Sequence, residues 1–152
     1  MTDQITLPMH PIGVIHTPIQ NERSAPVQSA RSDIEGMIEV FPEYMAGLDG
    51  VEGFSHIYLI FCFFHYGDET SLRVTPLLDN RQRGVFATRY PLRPNPIGLS
   101  VVRLLRRDKA LLYFKGADML DGTLLLDIKP YLPEFDVFQA ERIGWFHTRS
   151  KP

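Results

Sequence analysis

Strand signals dominate the pattern of apolar and polar positions along this chain. The segment IGVIHTPI, residues 12–19, is apolar and β-branched and is interrupted at Pro18. MIEVF, residues 37–41, alternates apolar with acidic side chains. SHIYLIFCFFH, residues 55–65, is a long aromatic and aliphatic run of the kind expected for a central strand buried on both faces. SLRVTPL (71–77) and GVFATRY (84–90) also read as strands. LSVVRLLRR and ALLYFKGAD flank Asp108 and Lys109, which predict a hairpin tip, and TLLLDIKPYL, residues 123–132, closes the series. About eight short strands at this spacing predict an all-β chain closed, or nearly closed, into a β-barrel with short helical turns. Helix is expected only over PEYMAGLDG, residues 42–50, as a short turn stopped by glycine.

Two stretches fall outside this pattern. Residues 20–36, QNERSAPVQSARSDIEG, form a polar connection that is long for an ordered loop in a small domain, and loops of that length tend to carry function. The tail beyond Tyr131 is aromatic and charged, with Trp145 and Phe146 near its end, and suits packing back on the core or covering a partner chain. The length of 152 residues predicts one domain over residues 1–152, with a core at 12–133 and a tail at 134–152.

Composition removes several classes of function. Cys62 is the single cysteine, so no intramolecular disulfide forms, and its place inside IYLIFCFF points to a buried, inert thiol. That apolar run is too short to cross a membrane, and the N-terminus lacks the basic start and apolar stretch of a secretion signal, so a cytoplasmic protein is expected. The histidines show no zinc-like spacing with cysteine, and no metal is expected. The glycines of GLDGVEG are wrongly spaced for a dinucleotide fingerprint, and neither a Walker loop nor a G-x-S-x-G elbow is present. The net charge of −2 argues against wholesale polyanion binding. Yet seven arginines and no acidic residue lie between Arg81 and Arg107, which makes either a local positive patch or a row of arginines paired to carboxylates.

The centre of that basic stretch, YPLRPNPIG, holds Pro91, Pro94 and Pro96. Each proline fixes its own φ and drives the residue before it toward extended backbone, so Tyr90, Arg93 and Asn95 sit on a pre-organised ribbon. Gly98 then permits a turn or a close backbone approach. An arginine presented rigidly loses less entropy on binding an anion, and its planar fork suits carboxylate or phosphate. A second cluster, GADMLDGTLLLDIKPYLP, places Asp118, Asp121 and Asp127 around an Asp-Gly turn. Carboxylates there are candidates to receive hydroxyls, amines or the ribose of a nucleoside. Lys129, ahead of Pro130, is either a surface charge or a phosphate contact.

GVFATRYPLRPNPIGLSVVRLL followed by DMLDGTLLLDIKPYLP resembles the signatures of the TsaA/TrmO-type family. IGVIHTPI and GLDGVEGFSHIYLIFCFFH fit the same pattern in the same order, and the resemblance covers residues 12–133. It implies a β-barrel methyltransferase that uses S-adenosylmethionine as cofactor, works as a homodimer, and methylates N6 of N6-threonylcarbamoyladenosine at position 37 of tRNA, beside the anticodon. Longer members carry a further domain after the DIKPYLP segment.

Position by position, the resemblance implies cofactor contacts at Pro26, Val27 and Gln28, at His65 and Tyr66, at Arg89, at Leu99 on the adenine side, and at Lys115, Gly116, Ala117 and Asp118. Valine at position 27 stands where family members commonly have arginine. Arg89 is the candidate for the methionine carboxylate. Arg93, Asn95 and Lys129 fall to shaping the loop or contacting RNA. Asp118 and Asp121 are both candidates for the base that takes the N6 proton, and sequence alone does not choose between them. Two alternatives stand beside this reading. One is methylation of another RNA or a small molecule by the same pocket. The other is a non-catalytic nucleic-acid-binding barrel in which Tyr66 and Tyr90 stack on bases.

Overall fold

The computed structural model describes residues 4–63 and 70–152. Its strands in chain order are β1 (Gly13–His16), β2 (Glu35–Val40), β3 (His56–Cys62), β4 (Arg73–Val74), β5 (Arg83–Gly84), β6 (Ile97–Asp108), β7 (Leu111–Lys115) and β8 (Thr123–Pro130). Six of them close into an antiparallel barrel in the order β1, β2, β7, β6, β3, β8. The seam is β1 against β8, with Ile15 opposite Thr123. Closing the ring pairs the edges that an open sheet would leave exposed. β4 and β5 form a separate two-stranded ribbon.

The strict alternation of apolar side chains builds the interior. Ile57, Leu59 and Phe61 of β3 point inward and are fully or almost fully buried. They meet Ile15, Ile38, Val102, Leu112, Phe114 and Leu125 from the other strands. The outward residues of β3, from His56 to Cys62, are only partly covered, so the expected burial on both faces holds for one face alone. Cys62 is among these partly covered residues, a correction to its expected burial. Gly98, on the inward side of β6, is a close approach rather than a turn. A Cβ there would overlap the rings of Phe61 and Phe63. The hairpin tip lies at Lys109, in the left-handed region at φ 55°, directly after Asp108 ends β6.

Among the described residues, Phe114 is the largest fully buried side chain. Replacing it with alanine removes its apolar contacts and leaves a cavity that close-packed neighbours fill only in part. Phe114→Ala is therefore expected to cost about 3–5 kcal/mol of stability. The measurement is urea unfolding, with a lower midpoint at an unchanged slope.

Three expected elements come out differently. The strand over 71–77 shrinks to Arg73–Val74, because Pro76 offers no donor to continue a ladder. The strand over 84–90 is replaced after Gly84 by a 3-10 turn, Val85–Ala87. Thr88 turns the chain there, since its Oγ1 donates to the Val85 carbonyl at 2.8 Å and competes with sheet pairing. The helix expected over 42–50 is a 3-10 helix, Pro42–Leu48, that starts without a side-chain cap. The tail contains a single helical turn, α1 (Pro133–Asp136), and a 3-10 helix, Gly144–Thr148. Among the described residues, no helix is long and apolar enough to cross a membrane.

Candidate functional site

The polar connection between β1 and β2 is ordered because it is sewn to the segment after β7. Ser32 Oγ donates to the Ala117 carbonyl at 2.6 Å. The N–H groups of Gly116 and Ala117 both donate to the carbonyl of Ile34 at 2.9 Å. Lys115 Nζ lies 3.2 Å from Asp33 Oδ1. Gly116 adopts φ 105°, a conformation that other residues reach only with strain, and a Cβ there would stand 3.3 Å from the Ser29 carbonyl. Glycine thus lets the loop backbone at Ser29 lie against residues 116–118, with Gln28 next to it.

The proline-rich segment is braced from within. Arg93 Nη1 donates to the carbonyls of Thr88 and Tyr90 at 2.9 and 3.1 Å. Thr88 Oγ1 accepts the N–H of Tyr90 at 3.2 Å. These bonds fix the backbone on both sides of Arg89 and leave its side chain to reach outward. Arg89 Nη1 donates to Gln28 Oε1 at 2.7 Å. Arg93 is therefore spent on shaping this loop. Its Nη1 faces the loop's own carbonyls, and the residue is half-buried.

Where β6 begins, Leu99 and Ser100 point opposite ways. Leu99 is 55% exposed, whereas Ser100 is buried. Ser100 Oγ donates to Asp118 Oδ1 at 2.7 Å. Burial drives the Asp118 carboxyl up to about 6. The Ser100 hydroxyl, the N–H groups of Ser29 and of Asp118 itself, and the Arg89 charge all oppose that rise without cancelling it. Gln28, Arg89, Ser100 and Asp118, from four separate parts of the sequence, thus meet in one cluster, with exposed Leu99 beside it.

The other sequence candidates are distributed as follows. Pro26 is half-buried and Val27 is 37% exposed on the same loop. Ala117 is fully buried. His65 and Tyr66 lie outside the described residues. Asp121 stands apart from Asp118 and accepts the N–H of Thr17 at 3.1 Å, with His16 Nδ1 at 3.7 Å. Beside it opens a shallow groove of about 330 Å³ between His16, Pro18, Glu35, Met37 and Tyr113. Asn95 is exposed, and its carbonyl accepts the N–H of Ile97 at 2.7 Å. Lys129 pairs with Asp127 at 3.2 Å and is exposed on β8.

Sequence reasoning missed Ser29 and Ser100. For Ser100 a signal existed. It occupies the inward parity of β6, with Gly98, Val102 and Leu104, where a hydroxyl must find a buried partner.

Comparison with known proteins places these residues in a family. The profile of the tRNA-methyltransferase O N-terminal domain matches residues 14–137. A probable S-adenosyl-L-methionine-binding protein of Pyrococcus abyssi is 54% identical over 136 residues, covering 89% of this chain and 73% of that protein. A human tRNA (adenine(37)-N6)-methyltransferase is 42% identical over 98 residues, covering 62% of this chain and 22% of that protein. The crystal structure of TrmO from Pseudomonas aeruginosa aligns with a TM-score of 0.78 at 36% identity, covering 97% of this chain. The chain spans 65% of the length of that solved chain. With the barrel shared and most of its residues matched, this chain belongs to the tRNA-methyltransferase O N-terminal domain family.

Proposed function

We propose that this chain transfers a methyl group from S-adenosylmethionine to N6 of N6-threonylcarbamoyladenosine at position 37 of tRNA, as a cytoplasmic homodimer. The observation that carries the reading is the convergence of Arg89 and Gln28 with the partly buried Asp118–Ser100 pair. The chemistry of this set fits the cofactor. A guanidinium suits a carboxylate, exposed Leu99 offers apolar surface to a flat base, and Asp118 is a mostly buried acceptor among donors.

S-adenosylmethionine, when bound, supplies a methyl group on a positively charged sulfur. This chain's residues hold and orient the reactants around it. Arg89 would hold the cofactor's carboxylate, with Gln28 holding Arg89. Asp118 takes the proton that N6 of the adenosine loses, while Ser100 keeps the carboxylate oriented through Oδ1. Asp118 suits this duty better than Asp121, because Asp118 lies within reach of the Arg89 charge and its carboxyl is raised to about 6, whereas Asp121 stands apart with Thr17 and His16. Exposed Asn95 and Lys129 are left to meet RNA, where a single-stranded anticodon loop can splay a base out.

The test is transfer of tritium from labelled cofactor to tRNA drawn from cells that lack the family enzyme. Incorporation is expected, with the product nucleoside identified by mass spectrometry. No incorporation at saturating cofactor sinks the reading. A base with its carboxyl near 6 also sets the pH profile. The rate is expected to rise as pH climbs through about 6 and then level off, and Asp121→Asn is expected to keep that profile.

A further inference from the structure

The segment bearing Arg89 is also gripped from outside, by the C-terminal tail. Trp145 Nε1 donates to the carbonyl of Ala87 at 2.7 Å, across 58 positions of sequence. The indole ring lies 5.9 Å from the guanidinium carbon of Arg83. Arg83 is fixed in turn, donating through Nε and Nη2 to Asp79 Oδ2 at 2.9 and 2.7 Å. These bonds hold the Asp79 carboxyl below the usual carboxylate range, helped by the N–H groups of Asn80 and of Ser150 in the tail. Lys151 donates its N–H to the carbonyl of Leu78 at 3.1 Å. The tail therefore seizes the stretch from Leu78 to Ala87 at both ends.

Ala87 is two residues ahead of Arg89. Its carbonyl is held by the tail, while the carbonyls of Thr88 and Tyr90 are held by Arg93. Arginine is long, so a small backbone rotation at its base swings the guanidinium far from Gln28. The family profile ends at residue 137, so the segment with Trp145 lies beyond the part of the chain it matches.

We propose that Trp145 is a positioning residue for Arg89: its hold on the Ala87 carbonyl fixes the backbone from which Arg89 reaches Gln28 and the cofactor's carboxylate. The inference rests on the cofactor reading given above. Trp145 acts through the backbone, without contact with the reacting atoms.

The test titrates S-adenosylhomocysteine into the full chain by calorimetry. Trp145→Phe keeps an aromatic ring and removes the N–H donor. It is expected to raise Kd by about 3–10-fold, with the far-UV spectrum unchanged. In an Arg89→Ala background the same substitution is expected to move Kd by less than about twofold, because the side chain it positions is gone. Equal affinity of the wild type and Trp145→Phe overturns the proposal. So does a loss of the same size in both backgrounds, which would make Trp145 a general stabiliser. No binding by the wild type instead fails the cofactor reading itself and removes the basis of this one.

Discussion

Asp118→Asn is expected to slow methyl transfer by about 10²–10⁴-fold and, in the same protein, to raise thermal stability at neutral pH. The two effects share one cause. The Asp118 carboxyl is mostly buried, and burial lifts it from 3.8 to about 6. A carboxyl that binds its proton more tightly in the folded chain favours folding while it is protonated. That contribution is present below about pH 4 and is lost as pH rises through about 6. At pH 7 the folded protein therefore carries an ionised group that would be better solvated in the unfolded chain. Discounted for partial exposure, the penalty is about 2 kcal/mol. For a domain of this size that corresponds to about 5 °C in Tm.

Asparagine has nearly the same shape and still accepts from Ser100 through its oxygen, but it carries no charge to bury. The Tm difference between Asp118→Asn and the wild type is expected to be small near pH 4 and to open between pH 4 and 7. Asp79 and Glu52 titrate in the opposite sense, since hydrogen bonds hold their carboxyls low. Both proteins contain them, so they cancel in the difference. A difference that stays flat across this window refutes the buried, ionised carboxylate. Catalysis supplies the second readout. Loss of a general base lowers kcat by about 10²–10⁴-fold. Ser100→Ala separates charge from orientation. It removes a hydrogen bond that favours the ionised form, so the acid limb of the rate profile is expected to move to higher pH while activity persists.

Much of this architecture was legible because a barrel repeats a simple rule. Inward parity on β3 and β6 requires apolar side chains, and Ile57, Leu59, Phe61, Val102 and Leu104 obey it. The same rule misled where local chemistry outbid pairing. GVFATRY alternates like a strand, yet Thr88 bonds back to Val85 and turns the chain. The candidate site could be sought only through its motifs, because its parts come from distant segments. Nothing near Gln28 announces Arg89, which is 61 positions away. Nothing near Trp145 announces Ala87. Arg93 was the subtler case. Its neighbouring prolines mark it as rigidly presented, and that is correct, but its guanidinium turns inward onto the carbonyls of Thr88 and Tyr90. Stiffness can be read from composition, whereas the direction of a long side chain depends on which carbonyls the fold leaves unpaired.

That inward turn changes what Arg89→Ala and Arg93→Ala should do. Arg89→Ala is expected to weaken S-adenosylhomocysteine binding by about 100-fold. On the proposed contact, it would remove a charge-assisted hydrogen bond and leave the ligand carboxylate unpaired, about 3 kcal/mol together. It also strips Asp118 of the positive charge that favours its ionised form, so any residual activity should show its acid limb at higher pH. If the two arginines had separate duties, Arg93→Ala would spare the cofactor and impair only RNA binding. The structure instead makes Arg93 a brace for the backbone on both sides of Arg89. Arg93→Ala is therefore expected to weaken cofactor binding about 10-fold, through loss of pre-organisation rather than of contact. Arg93→Lys, whose ammonium can donate to the same two carbonyls, is expected to recover part of that loss. If Arg93→Ala binds S-adenosylhomocysteine as the wild type does, the prolines and the Trp145 bond to Ala87 suffice to hold Arg89 in place. The two bonds from Arg93 would then be a consequence of the loop's shape and not its cause.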